Sequence, residues 1–233
     1  MLLPAAGRTA ATTAAAGIII GAMTLTGLGL KISTIVVAAS GGNLLLCLIF
    51  TMLVTIVLGM GMPTIAAYAI PAAVVAPALV KLGVPQMAAH LFILYFAALS
   101  AITPPVALAS FAAAAIANCN PFKLGFTAVK LALPAFVIPY LFVYGPELLM
   151  MGSTGSILMA LVTSIIGVWA LSVSTVGYLK GNLSILERIL FFCAALLMID
   201  TGLVTDTIGI SLIIALIAFR VWKNKTAAPG AAK

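Results

Sequence analysis

The sequence predicts an all-α, polytopic membrane protein with a re-entrant helical hairpin and a broken helix. Three observations lead there. First, 64% of the 233 residues are hydrophobic and 6% are charged, with a mean hydropathy of +1.33. A soluble domain carries roughly 25% charged residues, and no water-soluble core of this length absorbs so much apolar surface. Second, the apolar residues fall into helix-length runs separated by short polar or basic connectors. Third, two runs are interrupted by uncharged breaks, Gly59-Met60-Gly61-Met62-Pro63-Thr64 and Ser100-Ala101-Ile102-Thr103-Pro104-Pro105. In hydrocarbon the freed backbone groups of such breaks have no water to satisfy them.

The elements follow in chain order. Residues 13–30 form a first apolar segment with Gly17, Gly21, Gly27 and Gly29, small residues that let helices approach closely in lipid. Residues 31–42 read as a connecting or interfacial helix. Residues 43–58 and 64–80 flank the first break, and 88–101 and 108–117 flank the second, counted as one broken span. After a polar connector at 118–123, residues 124–149 read as a long span broken by Pro134 and Pro139. Residues 157–176 form an uninterrupted span, and 186–203 and 208–222 a final pair around the turn 200–207. In that turn Asp200 and Asp206 read as solvated.

The net charge of +7 comes from eleven Lys and Arg against four Asp and Glu. In a soluble chain this would point to nucleic acid. Here the basic residues are scattered singly between apolar runs, with one cluster at Arg220, Lys223, Lys225 and Lys233. They read as residues that hold loops on the cytoplasmic side, with no nucleic-acid partner. The C-terminus is expected to be cytoplasmic and the chain multi-pass in the cell inner membrane, its lipid bilayer the first partner. Charge counting does not separate a hairpin from two full spans around the first break, because both put Arg8 inside. Segment length favours the hairpin: both arms are about 16 or 17 residues, at or below the usual minimum for spanning.

Cys47, Cys119 and Cys193 are far apart in the chain, with no metal spacing and no disulfide framework. No metal-protease motif and no nucleophile elbow is present. The single histidine, His90, reads as a helix-end hydrogen-bonding residue rather than part of a proton relay. No catalytic residue and no cofactor is expected, so the chain is not read as an enzyme.

The two breaks carry the chemistry. Pro63, Pro104 and Pro105 lack an N–H and clash with the preceding turn, so each break is expected to leave carbonyls open. Gly59 and Gly61 let the backbone bend. Open carbonyls with the hydroxyls of Thr64, Ser100 and Thr103 are hard oxygen ligands for a small cation such as Na⁺. The helices restarting at Thr64 and Val106 offer N–H groups and a positive dipole end to an anion. A proline kink closed by a nearby hydroxyl is the plainer alternative for either break taken alone.

The stretch "GMGMPTIAAYAIPAAVVAPALVKLGVPQMAAHLFILYFAALSAITPPVALASFAAAAIA", followed by "NPFKLGFTAVKLALPAFVIPYLFVYGPELL", resembles the large membrane subunit of tripartite ATP-independent periplasmic (TRAP) transporters. It is most similar to the fused 4TM/12TM type that works with TAXI-type binding proteins. The resemblance covers about residues 10–149, a second-repeat transport region over 1–149; the tail, 150–233, resembles the extra C-terminal helices and cytoplasmic end of that subtype. It implies a secondary transporter that imports organic anions (carboxylates) on a cation gradient, with Na⁺ as the coupling ion and a periplasmic TAXI-type protein delivering substrate. It implies inverted repeats, each with a hairpin and a broken helix, moving by an elevator-like mechanism. Carried over, Gly59, Met60, Gly61, Met62, Pro63 and Thr64 form the hairpin tip, and Ser100, Thr103, Pro104 and Pro105 its partner break. Na⁺ would sit near the backbone of Gly61 and Thr103, with no other metal. The first repeat of such a subunit is not in this sequence, so the chain is expected to be the C-terminal part, half of the inverted-repeat fold. Its N-terminal half would be a partner if encoded separately. A truncated or structural membrane subunit without its own transport activity is the alternative.

Overall fold

The computed structural model describes residues 2–198 and 202–227. Among these residues the chain is helical throughout, with one isolated bridge between Tyr178 and Asn182 in place of any strand. Ten α-helices follow in order: α1 Leu2–Leu25, α2 Leu28–Ala39, α3 Leu44–Gly59, α4 Thr64–Lys81, α5 Gln86–Leu99, α6 Leu108–Ala117, α7 Pro121–Tyr144, α8 Thr154–Val176, α9 Ile185–Leu197 and α10 Leu203–Ala227. A short 3-10 turn, Pro146–Leu149, links α7 to α8. Three of them, α4, α7 and α8, are long and apolar enough to cross a membrane, and a bent pair within α1 and α2 is a fourth candidate. With its helix-length apolar runs, this is the architecture of a polytopic membrane protein.

The chain divides into two compact units, Met1–Ala132 and Leu133–Lys233. In the first, α4 is the central helix: it packs against α1, α2, α3 and α5, and its Val74, Val75, Ala78 and Leu79 are fully or almost fully buried. Small residues bring its neighbours close. A Cβ on Gly29 of α2 would lie 3.0 Å from the Ala73 carbonyl oxygen of α4. Asn43 caps α3 by accepting the Leu46 N–H at 3.2 Å, which satisfies one donor of the first turn.

In the second unit α8, α9 and α10 pack around Leu171, Phe191, Ala194, Ala195, Met198 and Ile213. Met198 is wedged between glycines: a Cβ on Gly209 would meet its Cγ at 2.6 Å, and one on Gly167 its Cβ at 3.2 Å. Ser184 and Glu187 form a capping box at the start of α9, which pairs two orphan backbone donors reciprocally.

Several elements differ from the sequence reading. The first apolar segment does not run to residue 30. It ends at Leu25, and α1 and α2 meet at 74° across Thr26 and Gly27. Gly27 takes the left-handed conformation (φ +64), open to glycine at little cost, and the Thr26 hydroxyl closes the end of α1 on the Ala22 carbonyl at 2.8 Å. The helix assigned to residues 31–42 therefore starts earlier. Residues 124–149 are not broken at the prolines: α7 is helical from Pro121 through Pro134 and Pro139 to Tyr144. Pro121 at its first position suits a helix start. The span expected over 186–203 is a 13-residue helix ending at Leu197. Asp206 is not a solvated turn residue; it lies in the first turn of α10 and is 3% exposed. Asp200 lies outside the described residues. Of the two arms around the first break, α3 has 16 residues and α4 has 18, so α4, at about 27 Å, comes close to the hydrocarbon thickness.

Candidate functional site

The two breaks, some forty residues apart in sequence, are packed against each other. Gly59, the last residue of α3, is buried. A Cβ built on it would lie 2.7 Å from Ser100 Oγ, 3.2 Å from Ser100 Cβ and 3.4 Å from Ala67 Cβ. Ser100, the residue that ends α5, is 1% exposed. One position further along the tip, a Cβ on Gly61 would be 3.6 Å from Val106 Cγ1. Glycine is needed at 59 for this close approach, and at 61 because φ is +82.

The polar groups of the two breaks are used differently. From the turn between α3 and α4 one backbone bond returns, Met62 N–H to the Gly59 carbonyl at 3.3 Å. The carbonyls of Val57 and Leu58 receive no backbone N–H from that turn. Pro63 has no donor to give. The first break thus has open carbonyls, as expected. The second has them only on its far side, where the carbonyls of Pro104, Pro105 and Val106 receive no backbone N–H from the turn. Backbone N–H groups from Ser100 to Ala109 satisfy the carbonyls of Phe96, Ala98, Leu99, Ser100, Ala101 and Thr103. Ser100 donates its hydroxyl to the Ala97 carbonyl at 2.7 Å, and Thr103 donates to the Leu99 carbonyl at 2.8 Å. The expectation of open carbonyls is corrected only for the residues before the prolines, where hydroxyls and the 3-10-like turn close the gap. The second break thus has the hydroxyl oxygens of Ser100 and Thr103, their protons committed to carbonyls, and the carbonyls that follow the prolines.

Around these atoms the structure adds an anchor and a helix end. Met62 packs with Ile20 and Met23 of α1 against buried Ala16, Ala66 and Ile70, so its side chain ties the tip to α1. Met60 is half-buried, while Gly61, Pro63, Thr64 and Pro105 are exposed. Pro63 precedes α4 without a side-chain cap, which leaves the first-turn N–H groups at Thr64, Ile65 and Ala66 without intrahelical partners. Pro104 and Pro105 are joined by a cis peptide bond, and Ala107 takes φ +38 before α6 begins. The first unit holds no acidic residue: all four Asp and Glu of the chain, Glu147, Glu187, Asp200 and Asp206, lie beyond Ala132. Among the described residues no group of His, Cys, Asp and Glu is placed to hold a metal ion.

Residues 4–153 match the family model of the tripartite ATP-independent periplasmic transporter, DctM component. The chain belongs to this family. It is thus a membrane permease component of a TRAP transporter, a system that works with a periplasmic binding protein. The matched residues contain both breaks of the DctM component and all of α1 to α7 except the first two residues of α1. Searches among curated proteins and among solved structures returned no match.

Sequence reasoning missed three features of this DctM component. One is the bend at Gly27, beside which lies a cavity of about 260 Å³ lined by Met23, Thr24, Gly29 and Ala73. Another is the partner of His90: its Nδ1 lies 2.9 Å from the Tyr68 hydroxyl, joining α5 to α4. Tyr68→Phe is expected to lower stability by about 1 kcal/mol, the net worth of such a bond, readable as a small drop in the melting temperature of the purified chain. The third is a buried ion pair in the second unit. Arg220 donates to Glu187 Oε2 at 3.0 Å and to the Asn182 carbonyl at 2.8 Å, as well as to the Leu179 carbonyl. The sequence reading gave Arg220 to a cytoplasmic basic cluster; its charge is instead neutralised inside the protein.

Proposed function

We propose that this DctM component imports organic anions, carboxylates, on a sodium gradient, and that the two packed breaks hold both solutes. The observation that carries the reading is the meeting of Gly59 with Ser100. It brings the end of α3, which carries the open carbonyls, against the Ser100 side chain of the second break. Neutral oxygens alone suit a monovalent cation, since calcium and magnesium sites are built with carboxylates and the first unit has none. The start of α4 supplies N–H groups and a positive dipole end for the carboxylate. No arginine lies in either break, so specificity rests on helix ends and on what the binding protein delivers.

In this reading α3 and α4 form a re-entrant hairpin, α5 and α6 a broken helix, and together they make the second half of an inverted-repeat elevator in residues 1–149. An N-terminal half carries the first repeat. The binding protein is of TAXI type, the membrane is the cell inner membrane and the C-terminus is cytoplasmic. Support for the last comes from Lys223 and Lys225 at the end of α10.

The test is uptake of radiolabelled carboxylates by proteoliposomes that contain the assembled permease, with its binding protein outside, in sodium or choline buffer. Thr64→Val and Thr103→Val are each expected to reduce sodium-driven uptake by about tenfold or more, the scale of a lost metal-site support. Unchanged sodium dependence in both variants would reject the ligand assignment. Uptake that ignores sodium in the wild type would reject the coupling ion, and no uptake at all would favour a structural subunit.

A further inference from the structure

We propose that Gly125, on α7 and outside both breaks, is a positioning residue that sets the affinity of the cation site. The inference rests on the reading that Ser100 and Thr103 supply cation ligands. Gly125 is buried. A Cβ built on it would lie 3.2 Å from Pro104 Cγ and 3.8 Å from both Ala107 Cβ and Ser110 Cβ. The backbone of α7 is therefore the seat on which the second break rests.

The nature of the neighbour makes this contact informative. Most side chains yield to a new methyl group by rotating. The proline ring is closed onto its own backbone nitrogen, with φ fixed near −65°, so beyond a change of ring pucker at Cγ, Pro104 yields only if the backbone of Thr103, Pro104 and Pro105 shifts with it. The other side of the turn has little room to absorb that shift. Ala107 is fully buried in a left-handed conformation, and Ser110 bonds back to the Ile102 carbonyl at 3.5 Å. A methyl group at 125 is thus transmitted to Thr103, the residue directly before Pro104. The displacement asked of the turn is a few tenths of an ångström, a sizeable part of the roughly 0.5 Å within which a functional group must be held.

The experiment is binding of radioactive sodium to the purified full chain, measured by scintillation proximity, with melting temperature recorded in parallel. Gly125→Ala is expected to raise the half-saturating sodium concentration by about tenfold, the low end of the loss when a metal ligand's support is altered. Pro104→Ala combined with Gly125→Ala removes the ring atoms that the methyl meets. The cycle of single and double variants is expected to show positive recovery, with the pair less impaired than the sum of its parts. A melting temperature that falls while half-saturating sodium stays at the wild-type value overturns the proposal, because a purely structural glycine gives that result. The underlying reading fails separately: if Thr103→Val also leaves sodium binding unchanged, or the wild type binds none, the second break is not a cation ligand. Sensitivity to Thr103→Val with indifference to Gly125→Ala overturns the positioning role alone.

Discussion

Gly59→Val is expected to abolish sodium-driven uptake while the chain still inserts and folds. A single Cβ at this position already falls 2.7 Å from Ser100 Oγ and 3.2 Å from Ser100 Cβ, and valine adds two further carbons. Ser100 has no easy retreat, since it is almost fully buried and its hydroxyl is held by the Ala97 carbonyl at 2.7 Å. The two breaks must separate. Overpacking of this kind costs about 1–3 kcal/mol, which a folded unit survives, but a site assembled from both breaks does not. Gly59→Ala is expected to be milder, and Ser100→Gly in the same chain to relieve it by removing both clashing atoms. Uptake in proteoliposomes, with the amount of inserted chain measured by antibody, checks the series. Near-normal uptake by Gly59→Val would show that the contact is dispensable.

Arg220→Met is expected to cause the largest loss of stability of any single substitution in the second unit, about 3–5 kcal/mol. Both side chains of the Arg220–Glu187 pair are 7% exposed. Removing the arginine takes the guanidinium away from a buried carboxylate and strips the Leu179 and Asn182 carbonyls of a donor. Arg220→Lys keeps the charge but not the planar fork that reaches three acceptors at once, so it is expected to recover only part. Glu187→Gln with Arg220→Met removes the buried charge that Arg220 faced and should be more stable than Arg220→Met alone. Thermal unfolding of the purified chain orders the four proteins; an Arg220→Met melting temperature within a degree of wild type would contradict the pairing.

These two cases mark what the sequence made legible and what it did not. The breaks were readable because Gly, Pro and hydroxyl residues interrupt apolar runs without any charge, and local chemistry alone accounts for that. Their pairing was legible only through the family resemblance, and the contact of Gly59 with Ser100 was not, because it depends on how α3, α4 and α5 pack. The bend at Gly27 was hidden among Gly17, Gly21 and Gly29, which differ from it in conformation rather than in composition. Pro134 and Pro139 misled in the opposite sense, since α7 carries both without interruption. The Ser184-x-x-Glu187 capping pattern was visible in the sequence, and a glutamate fixed at the start of a helix in an apolar unit signals a nearby cation. The sequence does not say that the cation lies 33 residues further on. Gly125 carried no signal at all, because its neighbour Pro104 is brought to it only by the fold.

The claim on which the functional account depends is that the two breaks form one site. It is tested most directly by joining them. In a chain with Cys47, Cys119 and Cys193 replaced, cysteines at positions 61 and 106 bring a sulfur within reach of disulfide geometry, since a Cβ at 61 lies 3.6 Å from a γ atom of 106. Gly61→Ala in the same background measures the cost of a side chain at φ +82. Mild oxidation in the membrane is expected to form the bond and stop uptake, and reduction to restore it. If the cysteines stay free, or if the bond forms and sodium-driven uptake continues, the two breaks do not act as one site.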